Sequence, residues 1–272
     1  MAWRDYLYPA DARPNEFLGL YSQVFNAVEG NTTFYARPAP ATVARWAQVM
    51  PAHFRFTAKF PGDISHEADL RDRLESAFDF TRLLSPLGER VAPYWLQLPA
   101  QFGPARLAEL SAFLDQIGVP VAVEVRNQAF FAKGEEERLL NRLLHERQVE
   151  RICLDPRALF SCTSREPAVL HAQTKKPKVP PRPAAFSQHP QVRFIGHPTL
   201  AANDSFLTPW VAKVAEWIEQ GLSPYVFLHT SDNRLAAALA QHFHQRLMAR
   251  LPGLAALSEL PRAPEVEQLG LL

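Results

Sequence analysis

Seven short apolar runs recur along the chain, separated by segments of helical period, and this alternation constrains the fold more than any other feature. Strands that alternate with helices belong in a parallel sheet, because a parallel neighbour is reached only through a long crossover. The strands are read at 24–29, 54–60, 93–99, 121–126, 151–155, 192–197 and 224–230. The helices are read at 14–23, 38–50, 74–87, 104–118, 135–147, 205–221 and 234–251. Their ends carry the expected signals. Pro104 opens one helix and Gly118 closes it. Glu135, Glu136 and Glu137 begin another, and Arg147 ends it, which matches the helix dipole.

An eight-stranded barrel needs one strand more than is legible. The shortfall is at the front, where MAWRDYLYP reads as a loop that leads straight into a helix. The expectation is a TIM-barrel-like α/β fold with its first strand missing from the N-terminus. It forms one domain over 1–272, with an extended tail over 251–272. An open doubly wound sheet is the alternative, weakened because no GxGxxG or GxxxxGK loop is present. In the barrel reading, the strands beside the gap have unpaired edges, an aggregation liability. An upstream extension of roughly ten residues, one strand and its lead-in, is therefore expected to raise the melting temperature.

Composition narrows the class. A chain of 272 residues, 47% hydrophobic and 21% charged, buries a large core. Its net charge of +1 supplies no general attraction to nucleic acid or membrane. The 24 prolines against 11 glycines favour stiff connections. No leader peptide is legible at the start and no run reaches the roughly 20 apolar residues of a membrane span, so a cytoplasmic protein is expected. Cys153 and Cys162 are read as unpaired thiols.

In a barrel the strand exits build one mouth. The exits here carry Glu29 and Asn31, Lys59 and His66, Gln97, Glu124 and Arg126, Asp155, Arg193 and His197, then His229 and Asn233. Residues two apart in a strand share a face, so Glu124 and Arg126 lie together, opposite Val121, Val123 and Val125. Buried charges of this kind require a partner or a ligand. Alternatively, each pairs with its neighbours and simply fills the interior. Tyr35, Phe130 and Phe131 are read as packing aromatics at the rim. The stretch 156–190 shows no clear periodicity, and its segment AQTKKPKVPPRP sets Lys175, Lys176, Lys178 and Arg182 among prolines.

Four segments resemble the YecE-like family: VEGNTTFY at 28–35, FRFTAKFPGDISHEADL at 54–70, YWLQLPAQFGP at 94–104 and VEVRNQAFFAKGEEE at 123–137. KKPKVP, RFIGH and PYVFLHT resemble it more weakly. They span most of the chain in order. The resemblance implies a TIM-barrel-like fold, and it carries no reaction with it. Members begin with a strand ending in a tryptophan-containing loop; Trp3 matches that tryptophan, while the strand is not there.

The functional reading is an enzyme acting on a small anionic substrate bearing phosphate or carboxylate. Glu29 or Glu124 serves as general base and His66 or His229 as acid. Asn31, Lys59, Gln97, Arg126, Asp155, Arg193, Lys175 and Lys176 bind substrate. No cofactor is called for. One alternative is a metal-dependent barrel hydrolase or isomerase using Glu29, Glu124, Asp155 and a histidine. Against it, no HExxH spacing occurs and the neighbouring Lys and Arg repel a cation. Another alternative is a nucleic-acid-binding barrel using the basic segment at 175–182, opposed by the near-zero net charge.

Overall fold

The computed structural model describes residues 3–4, 6–67, 69–91 and 93–259. Eight strands lie among them: β1 Ala27–Gly30, β2 Arg55–Ala58, β3 Tyr94–Gln97, β4 Val121–Glu124, β5 Glu150–Arg151, β6 Cys153–Asp155, β7 Gln191–Ile195 and β8 Tyr225–His229. All seven expected strands are present; the run at 151–155 is interrupted at Ile152, which divides it in two. The helices are α1 Phe17–Val24, α2 Thr32–Tyr35, α3 Pro40–Val49, α4 Gly62–Ser65, α5 Leu74–Leu84, α6 Leu107–Gln116, α7 Glu135–Glu146, α8 Arg157–Ser161, α9 Pro167–Lys175, α10 Asp204–Glu219 and α11 Ala236–Arg250. Among the described residues, no helix is long and apolar enough to cross a membrane. The last 13 residues of the expected tail, 260–272, lie outside the described residues.

The strands form three small parallel sheets, β1-β2, β3-β4-β5 and β6-β7-β8. The expectation of a TIM-barrel-like fold is overturned: no closed barrel forms. Closure needs continuous ladders around the ring, and here they stop. Between β2 and β3, among the described residues, only isolated bridges occur, Phe56 with Val91 and Lys59 with Trp95. Across the break at Ile152 a single bond continues, from Ile152 N to Val123 O at 2.9 Å. No ladder joins β8 to β1 among the described residues.

Alternation along each strand sorts side chains onto two faces. Phe56, Ala58, Leu96 and Val123 join the large core that also contains Phe80, Phe113 and Leu140 from α5, α6 and α7. Cys153, Val192 and Phe194 pack with Trp210, Val214 and Trp217 of α10 and Phe243 of α11. On the opposite face Trp95, Ala122, Ile152 and Phe227 form a smaller apolar layer. The charged residues of interest stand beside that inner layer.

The stretch 156–190, without period in the sequence, contains α8 and α9. Pro167 starts α9 at a position where its missing N–H costs nothing. Both cysteines are free and buried.

Gly196, just after β7, marks a close approach. A Cβ there would lie 2.7 Å from both Asn203 Oδ1 and Leu239 Cδ2. The open space lets Asn203 Oδ1 accept from His197 N at 2.7 Å. The amide nitrogen of Asn203 meanwhile donates to the carbonyls of His197, Thr199 and Leu200. Gly196→Ala is expected to cost about 1–3 kcal/mol by overpacking this turn, measured by urea unfolding.

Candidate functional site

A buried carboxylate must find donors, and Glu29 finds four. It stands on β1, with its side chain 4% exposed. Lys59 Nζ, just beyond β2, reaches Oε1 at 2.8 Å. Arg193 of β7 donates from Nη2 to Oε1 at 2.8 Å and from Nε to Oε2 at 3.0 Å. His229 Nε2, on β8, lies 2.7 Å from Oε2. The other ring nitrogen, Nδ1, lies 3.2 Å from Asn233 Oδ1. Side chains from two strands, β7 and β8, and from one position just beyond β2 therefore converge on this carboxylate of β1.

Arg193 also reaches the second carboxylate, donating from Nη1 to Glu124 Oε2 at 3.3 Å. Glu124, fully buried on β4, accepts from Arg126 Nε at 2.8 Å on its other oxygen. Gln97 Oε1 on β3 ties the two halves, accepting from Lys59 Nζ at 3.2 Å and Arg126 Nη2 at 2.9 Å. Beneath them the Trp95 ring lies 4.7 Å from Lys59 Nζ and 5.3 Å from Arg193 Cζ, measured to the ring centroid.

The charges set one another's protonation. Burial pushes Glu29 up, but Arg193, Lys59 and His229 together hold it well below the usual carboxylate range. Burial acts likewise on Glu124, and Arg126, Arg193, Lys59 and Lys176 bring it down to about 2. Burial lowers Lys59, with Arg193 adding to the effect and Glu29 opposing it. Burial also lowers His229, against the pull of Glu29. Lys176 falls to about 7, first through burial and then through Arg193.

The remaining expected residues take varied places. His66 follows α4, with Nδ1 2.7 Å from Ser65 Oγ and its ring edge-on to Phe34 at 5.0 Å. Burial and Arg126 lower its pKa, which places it beside the cluster. Asn31 precedes α2 and is exposed. With Glu29, His229 and Asn233 it lines one end of a cavity of about 610 Å³ between β1 and β8, walled elsewhere by Phe243 and Leu247 of α11. Lys176 directly follows α9 and is partly buried, whereas Lys175 ends that helix exposed to solvent.

Asp155 is not part of the cluster. It lies on the face of β6 shared with Cys153, where it accepts from Trp210 Nε1 at 2.7 Å and from Arg157 Nη2 at 2.7 Å. His197 Nδ1 accepts from Thr199 N at 2.9 Å and shapes a turn. Arg182 is spent on Glu137, at 2.7 Å, and on the Phe131 carbonyl. Lys178 lies over the Phe160 ring. The basic segment is therefore no open stripe of cations. Among the described residues no three His, Cys, Asp or Glu side chains gather as a metal site would require. Trp95 escaped the sequence reading, although its position two before Gln97 in the strand YWLQ puts both on one face.

Comparisons place this arrangement in a family. Residues 1–265 match the family described as "Protein of unknown function DUF72". UPF0759 protein YecE of Escherichia coli (strain K12) is 43% identical over 244 residues, 89% of each chain. UPF0759 protein YunF of Bacillus subtilis (strain 168) is 26% identical over 165 residues, 57% of this chain and 58% of that one. A crystal structure of a DUF72 family protein from Enterococcus faecalis V583 shares the fold, with a TM-score of 0.62 and 20% identity. That match covers 89% of this chain and 90% of the other. The chain belongs to the DUF72 family.

Proposed function

We propose that the protein is an enzyme acting on a small anionic substrate, bearing phosphate or carboxylate, by general acid/base chemistry beside the Glu29–Arg193–Glu124 bridge. One observation carries the reading. Arg193 is consumed between two buried carboxylates, while Lys59 and Arg126 beside it bring the cations to three against two carboxylates, and Arg126 is the one partly exposed. A side chain 17% exposed, such as Arg126, can rotate one N–H outward and keep another on Glu124. Gln97 offers a neutral polar contact beside it.

The pKa directions divide the labour. Glu29 and Glu124, held low, are weak bases at neutral pH; they serve as fixed charges that orient cations. His66 has one nitrogen on Ser65 and a lowered pKa, so it is neutral at pH 7 and suited to exchange a proton. His229 is tied at both nitrogens and is the poorer candidate.

Inorganic phosphate should raise the melting temperature. A ligand at a hundredfold excess over its Kd contributes about 2.7 kcal/mol, several degrees for a chain of this size. Arg126→Ala should abolish most of that shift in a thermal-shift assay. An undiminished shift in the variant would assign the anion elsewhere.

A further inference from the structure

The cavity between β1 and β8 extends far beyond the charged residues at its end. At about 610 Å³ it falls in the size range of ligand pockets, roughly 300–1,000 Å³. Every residue from Ser223 to His229 lines it, so it runs the whole length of β8. A strand of that length spans about 13 Å between its first and last Cα. The walls are apolar: Phe25 and Val28 at β1, Val214 and Ile218 of α10, and Phe243 and Leu247 of α11.

The sequence of α11 sets its width. Ala236, Ala240, Phe243 and Leu247 follow one another at helical spacing and all line the cavity. Ala236 N donates to Asn233 O at 3.2 Å, so the alanines stand at the exit end of β8 and leave space there. Val28, Val226 and Leu228 are accordingly only half-buried, whereas every residue of β3, β4 and β7 is buried. The exit end is polar. Asn31 and Asn233 are exposed there, and His229 Nδ1 lies 3.2 Å from Asn233 Oδ1. Glu29 belongs to the same end, and a carboxylate in the wall repels an anion. Lys59, Arg193 and His229 already surround that carboxylate, which leaves little charge to draw a cation. What this end offers a ligand is neutral hydrogen bonding, from two amides that both donate and accept.

We propose that this cavity binds a single straight aliphatic chain whose uncharged, hydrogen-bonding head lies at Asn31 and Asn233. The chain runs along β8 between α10 and α11, and the head stays at the exit end, in reach of solvent. Affinity comes from the methylenes, which leave water for apolar walls that hold water poorly. The two amides fix which end of the ligand enters last. The site is distinct from the anion site proposed above: among the described residues, neither Arg126 nor Gln97 lines this cavity.

The test is isothermal titration calorimetry on the full chain with the straight primary alcohols hexanol, octanol and decanol. Affinity should rise about fourfold for each added methylene, with a negative heat-capacity change. Decanoate and decylamine should bind at least about tenfold more weakly than decanol, because their charges find no partner at the exit end. Ala240→Leu fills the wide end; it should keep or raise the melting temperature and weaken decanol at least about tenfold. Asn233→Gly accepts the positive φ of this position and removes one amide, so it should weaken every alcohol alike, by about fivefold. Absence of saturable binding, or an affinity indifferent to chain length, overturns the proposal on the wild-type protein alone. So does an unchanged decanol affinity in folded Ala240→Leu, since the chain then lies elsewhere. Decanoate or decylamine binding as tightly as decanol overturns the uncharged head.

Discussion

Arg193→Met should destabilise the fold by about 3–5 kcal/mol at pH 7, the range for removing one partner of a buried ion network. The arginine satisfies Glu29 twice and Glu124 once, and all three side chains are almost wholly buried. Methionine fills much of the same volume, so the loss reads charge rather than cavity. The sign with pH is fixed. Carboxylates whose folded pKa is depressed add stability above their unfolded pKa near 4.5, and lose it as pH falls through the folded value, about 2 for Glu124. The gap between wild type and variant should therefore shrink in acid. Urea unfolding at pH 7 and pH 3 measures both, and a loss under about 1 kcal/mol at pH 7 would show the network to be dispensable.

Glu150→Gln should act in the opposite direction and stabilise the protein at alkaline pH. Glu150 is buried on β5, and burial raises its carboxyl to about 7. One oxygen accepts from Phe186 N, Ser187 N and Ser187 Oγ, while the other, Oε1, has no partner among the described residues. A folded pKa above the unfolded 4.5 means that the folded state retains the proton longer, so stability falls as pH rises from 4.5 to about 7. At 1.36 kcal/mol per unit, the cost at pH 8 is at most about 3 kcal/mol. Glutamine keeps the three accepted bonds without the charge. The gain should appear at pH 8 and vanish at pH 4 in paired thermal melts; equal gains at both would trace the effect to packing instead.

What the chain reveals before folding is set by range. Period-two alternation is local, and it put Glu29, Lys59, Gln97, Glu124, Arg126, Arg193 and His229 at strand exits, where the structure gathers them. The same rule could have removed Asp155, which shares parity with Cys153 and so turns toward Trp210. The barrel reading failed because the ladders stop between β2 and β3 and at Ile152, and whether strands far apart along the chain pair continuously is a matter on which local periodicity is silent. The α9 helix was missed because its apolar residues are few and weakly segregated. Glu150 drew no notice, since nothing nearby in the sequence announces that a loop 36 residues later will enclose it.

Trp95 gives the cluster an optical handle. Its indole ring lies against Lys59 and Arg193, and its Nε1 has no hydrogen-bond partner among the described residues. The emission wavelength of an indole follows the electric field across its ring. Neutralising Glu29, displacing Arg193 or seating an anion beside it would each shift that field, so the protein carries its own fluorescent gauge of the state of its ionic centre.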